Sequence, residues 1–145
     1  MSGDERFLAA MYGTVMRGMP HHHRIAGARY VGDARTQPRY RLFAVDGEYP
    51  LMVESLERGG AIDVQVFSLT SAIWRAKVDR EPDGLYEAAV LLQDGRTVAV
   101  MLGDAAWAEA RDGVQDITSY GGWAAYLASR SSGSRTDAAP TEAPE

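Results

Sequence analysis

No cysteine occurs in the 145 residues. That absence removes thiolate nucleophiles, cysteine-ligated zinc and any disulfide framework, and it suits a reducing compartment. Positive charge is also short: 15 Lys and Arg against 20 Asp and Glu leave a net charge of −5. Such a balance argues against nucleic acid or an anionic membrane as the main partner. No apolar run approaches the ~20 residues of a membrane span. The first residues, Met1 to Arg6, are polar and acidic, unlike a secretion signal. The expectation is a cytoplasmic domain with a small-molecule substrate, no nucleic-acid partner and no membrane partner. Composition does not fix the oligomeric state.

Histidine is confined to His21, His22 and His23. Successive helical positions diverge by about 100°, so the three cannot converge on one metal ion, and no metal site is expected. One of them can line the mouth of a pocket beside the preceding loop. A Ser-His-Asp arrangement lacks both a Gly-x-Ser-x-Gly elbow and a second histidine region.

What is present is a strand-rich pattern. Phe7 to Tyr12 reads as a buried strand stopped by Gly13, and Pro20 to Gly27 as one helical turn with proline at its start and glycine at its end. Ala28–Gly32, Tyr40–Val45 and Tyr49–Val53 read as strands, the last at a sheet edge because of Pro50. From Ile62 the chain alternates, placing Ile62, Val64 and Val66 on one face. Thr70-Ser71 offers an N-cap for a helix carrying Ile73, Trp74, Lys77 and Val78. Two strands, Leu85–Leu92 and Thr97–Leu102, flank the hairpin signal Asp94-Gly95. Asp104 caps a short helix through Trp107, and a last helix opening at Ser119 or Tyr120 holds Trp123, Tyr126 and Leu127. The inventory is about seven strands and four short helices, hence an α+β domain with a curled, barrel-like sheet. A chain of this size buries about 68–70% of its unfolded surface, enough for one core. The domain is expected over residues 1–129. From Arg130 the chain has no large apolar residue to offset its ordering entropy, so a disordered tail is expected over 130–145.

Two features carry candidate chemistry. Gly13 and Gly18 bracket the loop Tyr12–Gly18, where glycine permits φ > 0 and close backbone approach to a ligand. N–H groups in such a turn can hold a carboxylate or an oxyanion; an ordinary strand-to-loop turn is the alternative. Glu81 lies between a helix end and a strand start, where a carboxyl can face a pocket and act as general acid and base. As a solvated loop charge beside Asp79, Arg80 and Asp83, it has no such role.

The strand ending in Tyr12-Gly13-Thr14, with Gly18 after three more residues, resembles the γ-glutamylcyclotransferase-like superfamily, as do Ala26–Ala34 and Arg39–Phe43. That resemblance implies a small mixed β-barrel with a few short helices, a substrate-binding Tyr-Gly loop and a glutamate near the end of the central helix. Glu81 is the match for that glutamate, although Asp79-Arg80-Glu81-Pro82 is one residue shorter than the family pattern and Pro82 replaces its glycine. The segment Gln115–Leu127, with Gly18-Met19-Pro20 and Ile62–Phe67, is similar to the allophanate hydrolase C-terminal domain. In that domain the decarboxylating type carries histidine where this chain has Val15 and glutamate where it has Gln65.

Together the resemblances span residues 7–129 and imply a cofactor-free enzyme. The α-amine of a γ-glutamyl amide attacks its own γ-carbonyl and releases 5-oxoproline. Glu81 is the implied catalytic residue, serving as base and then acid. Tyr12, Gly13, Thr14, Val15 and Gly18 form the implied substrate-binding loop, with Tyr86 and Tyr120 as candidate pocket hydrogen-bonders or plain core residues. Two other readings stand beside it: a non-catalytic binding or assembly module, and an accessory enzyme of carbamate or allophanate (urea-type) metabolism.

Overall fold

A computed structural model of the chain describes residues 5–138. Eight strands form two sheets. Arg6–Met11 (β1), Arg29–Arg35 (β2), Asp63–Thr70 (β5), Leu85–Leu91 (β6) and Thr97–Gly103 (β7) make a five-stranded sheet in the order β2-β5-β1-β7-β6. Tyr40–Val45 (β3), Tyr49–Glu54 (β4) and Val114–Asp116 (β8) make a three-stranded sheet in the order β4-β3-β8. The α+β class is as the pattern implies, but the strands do not close into one barrel. All pairings are antiparallel except β1 with β7. β1 is flanked on both sides, which explains why its C-terminal half, Ala9 to Met11, is at most 2% exposed.

Local chemistry accounts for most boundaries. The helix Ser71–Val78 (α1) begins where the Thr70 hydroxyl accepts the Ile73 N–H at 3.3 Å. Asp104 caps Ala105–Glu109 (α2) by accepting the Ala106 N–H at 2.9 Å. Gly95 at φ +94° turns the β6–β7 hairpin. Pro50 lies on the edge strand β4, where a missing N–H costs no ladder bond.

Three expectations change. β8 adds an eighth strand that its composition conceals: of its three residues only Val114 is apolar, and β3 recruits it at the register Val45–Val114. The last helix does not open at Ser119 or Tyr120. Thr118–Tyr120 forms a 3₁₀ turn, Gly121 breaks it at φ +82°, and the helix Trp123–Ala138 (α3) starts afresh. That helix continues past Arg130, so the first part of the stretch expected to lack structure is helical: an established helix propagates through Ala, Ser and Arg without needing an apolar anchor at each turn. Residues 139–145, the remainder of the expected tail, lie outside the described residues.

Trp123 and Tyr126 of α3 are buried at 2% and 6% exposure, with rings 5.4 Å apart, and Leu127 packs beside them on the main core. No helix among the described residues is long and apolar enough to cross a membrane.

Candidate active site

β1 delivers the chain into the loop Tyr12–His21, which hydrogen-bonds to itself. The Met16 N–H donates to the Gly13 carbonyl (3.1 Å), Met19 to Met16 (3.0 Å) and His21 to Thr14 (2.8 Å). His22 Nδ1 lies 2.8 Å from the Val15 carbonyl, so Nδ1 carries the proton and donates it. The 3₁₀ turn His22–Ile25 is thereby stapled to the loop, and Ile25, 2% exposed, anchors it in the core. The N–H groups of Gly13, Thr14 and Val15 donate to no protein acceptor among the described residues.

The two loop glycines serve different purposes. Gly18 adopts φ +80°, as a turn there requires. Gly13 does not take a positive φ, contrary to expectation. It is glycine because a Cβ would sit 2.5 Å from Cγ of Pro50. The loop is pressed onto β4 of the other sheet.

A cavity of about 290 Å³ opens at this junction. Tyr12, Gly13, Thr14, Val15 and Glu81 all line it. Glu81 follows α1, and its side chain is 18% exposed. Its carboxylate pairs with the ammonium of Lys77, one helical turn earlier and 8% exposed. Lys77 also lies 5.7 Å from the ring centre of Trp74. Gly18, Tyr86 and Tyr120 do not line this cavity. Tyr86 stands on the edge strand β6, 49% exposed, and Tyr120 packs edge-on against Tyr126.

Tyr12 shapes the wall, but its hydroxyl is already committed. It donates to the Met101 carbonyl at 2.6 Å and accepts the Met52 N–H at 3.2 Å, bridging β7 and β4. Burial drives its pKa far above the usual phenol value, the Met52 N–H opposes that, and the Glu81 charge adds to it. Tyr12 is therefore protonated at neutral pH and structural.

Of the three histidines, one of which the sequence allows at a pocket mouth, His21 lines the cavity; sequence reading passed over Arg24, Lys77 and Arg80 as site residues, and all three line it too. For Lys77 a signal existed: it stands four residues before Glu81, the spacing of a helical ion pair. No group of three or more His, Asp or Glu suited to a metal ion occurs among the described residues. Gln65 stands apart from this cavity: its side-chain oxygen accepts the Arg17 N–H at 2.8 Å and helps hold the loop from β5.

Comparison with known proteins decides the family. The model of the allophanate hydrolase C-terminal domain matches residues 8–128. The chain belongs to that family. Urea amidolyase of Saccharomyces cerevisiae is 28% identical over 125 residues, 81% of this chain, and the match spans 7% of the yeast protein's length. Among solved structures, c4763, a uropathogenic E. coli-specific protein, superposes with a TM-score of 0.79 at 32% identity, covering 86% of this chain and 97% of that one. A γ-glutamyl cyclotransferase superposes with a TM-score of 0.52 at 19% identity over 69% of this chain and 68% of its own, a likeness of fold alone. This chain's fold is thus similar to that of a γ-glutamyl cyclotransferase.

Proposed function

We propose that this chain is a γ-glutamylcyclotransferase-like enzyme releasing 5-oxoproline from a small γ-glutamyl amide. One observation carries the reading: Glu81 lines the same cavity as Gly13, Thr14 and Val15, whose N–H groups have no protein acceptor among the described residues. A proton carrier and an oxyanion cradle are what an intramolecular aminolysis needs. The substrate's α-amine attacks its γ-carbonyl, forming the lactam C–N bond. Glu81 takes the proton from that amine and returns it to the leaving nitrogen as the amide C–N bond breaks. The loop N–H groups hold the oxygen on which charge develops. A closely fitting cavity folds the substrate so that amine and carbonyl meet, which supplies much of the rate. Lys77 offsets the Glu81 charge and fixes the carboxylate's position. No cofactor enters the scheme.

The test is a screen of γ-glutamyl amines for 5-oxoproline release, followed by Glu81→Gln. General acid–base catalysis by one side chain is worth about 10²–10⁴ in rate, so Glu81→Gln loses at least about a hundredfold in kcat. Its unfolding midpoint falls because the buried Lys77 ammonium loses its counter-charge, and circular dichroism at the assay temperature checks that the variant is folded. Wild-type turnover by Glu81→Gln would assign the proton to another group.

Family membership supports a second reading, an accessory role in carbamate or allophanate metabolism. Val15 fills the loop position at which the decarboxylating type resembled above carries histidine, and an aliphatic side chain cannot move a proton. A non-catalytic binding or assembly role is what remains if neither γ-glutamyl amides nor carbamates are turned over.

A further inference from the structure

The cavity's charge runs against that of the chain. Overall the protein carries −5, yet Arg24, Lys77 and Arg80 line the cavity against Glu48 and Glu81 alone. Lys77 and Glu81 satisfy each other. Arg80 and Glu48 are exposed, where water screens them. Arg24 is different. It is half-buried, it makes no ion pair or side-chain hydrogen bond among the described residues, and its Nε is enclosed without an acceptor. Arg35, Arg41, Arg75, Arg96 and Arg111 all reach a carboxylate. A guanidinium offers five donors, and withdrawing one from water without an anion is unfavourable. The Nδ1 of the adjoining His21 is likewise buried without a partner.

The backbone that carries both side chains is held in place. The Arg24 backbone N–H donates to the His21 carbonyl at 2.9 Å, the His21 backbone N–H donates to the Thr14 carbonyl, and the His22 ring is tied to Val15. Burial, then the charges of Arg24 and His23, hold the His21 imidazole below its usual pKa. An arriving anion is the partner both residues lack. A cavity of about 290 Å³ is at the lower end of small-molecule sites, and a planar carboxylate matches the guanidinium fork bidentately.

We propose that Arg24, assisted by His21, is the carboxylate-recognition site of this cavity. The ligand's carboxylate docks there, which leaves the N–H groups of Gly13, Thr14 and Val15 for its carbonyl oxygen. The assignment deepens the enzyme reading and rests on it for the substrate, but the binding step can be tested without turnover.

Calorimetric titration with two inert probes, glutarate and its neutral diamide glutaramide, separates charge from shape. Glutarate binds wild-type protein and glutaramide binds at least about tenfold more weakly, the difference expected when hydrogen bonds to a charged group are lost. Arg24→Met loses glutarate affinity by about tenfold or more, Arg24→Lys recovers part of it, and Arg29→Met, outside the cavity, leaves it unchanged. Thermal unfolding of each variant checks the fold, and Arg24→Lys keeps the test open if Arg24→Met does not fold. The proposal is overturned if wild-type protein fails to bind glutarate, if glutaramide binds equally well, or if a folded Arg24→Met or Arg24→Lys variant retains wild-type affinity. Glutarate binding through Arg24 with no γ-glutamyl amide turned over keeps this site and removes the cyclotransferase reading. Turnover by Arg24→Met with unaltered KM does the reverse.

Discussion

Replacing Gly13 by alanine measures how tightly the Tyr12–His21 loop is pressed onto the second sheet. A Cβ at Gly13 falls 2.5 Å from Cγ and 2.8 Å from Cδ of Pro50, whereas ordinary contact begins at 3.4 Å. The two must therefore separate by roughly 1 Å. Pro50 cannot yield by changing rotamer, because its ring is closed and buried, and β4 is held to β3 at Ala44. Overpacking of this kind costs about 1–3 kcal/mol. Pro50→Ala removes both obstructing atoms, at a cost of about 1.5 kcal/mol for two buried methylenes. In the double variant the new methyl enters the vacated space, so the total falls short of the sum of the single effects by about 1–2 kcal/mol. Proline's effect on the unfolded chain appears in both arms of the cycle and cancels. Urea unfolding followed by tryptophan fluorescence reads all four proteins. Additivity within about 0.5 kcal/mol would show that the loop and Pro50 are not in forced contact, and the account of Gly13 would fall.

Tyr12→Phe strands the Met101 carbonyl and the Met52 N–H in the core, so its effect appears as about 1–3 kcal/mol of lost stability per unpaired group in denaturant titration, with little change in KM for any substrate found. Trp123→Ala empties a site only 2% exposed and lowers stability by about 3–5 kcal/mol; a loss below about 1 kcal/mol would mean that α3 is peripheral. For Asp116, partial burial opposes ionisation, but hydrogen bonds from Thr118 and the Arg41 guanidinium win and hold its carboxyl below the usual aspartate value of 3.8. Its contribution to stability is therefore complete above that value and is lost as pH falls through the lower folded-state value. The stability gap between wild type and Asp116→Asn, measured by urea midpoints, narrows across that acid window; a gap independent of pH would contradict the assignment.

Much of the backbone was legible without coordinates because its causes are local. The Thr70 and Asp104 caps act within three residues, the Asp94-Gly95 hairpin within four, and the left-handed conformation of Gly18 answers to a turn in its own loop. The pairing of Lys77 with Glu81 is likewise implicit in a spacing of one helical turn. The candidate site was only half legible. Glu81 and the Tyr12–Val15 segment were readable from their motifs, whereas their meeting in one cavity depends on β1 lying between β5 and β7. Tertiary structure alone committed the Tyr12 hydroxyl to Met101, 89 residues away, and set Gly13 against Pro50 across two sheets. It also left Tyr86 and Tyr120 outside the cavity and brought Arg24 into it without a counter-charge. Capping and turn chemistry act over a few neighbouring residues and leave marks in composition. The hydrogen-bonding partner of a side chain is chosen by strand order and sheet stacking, to which residues far apart in the chain contribute together.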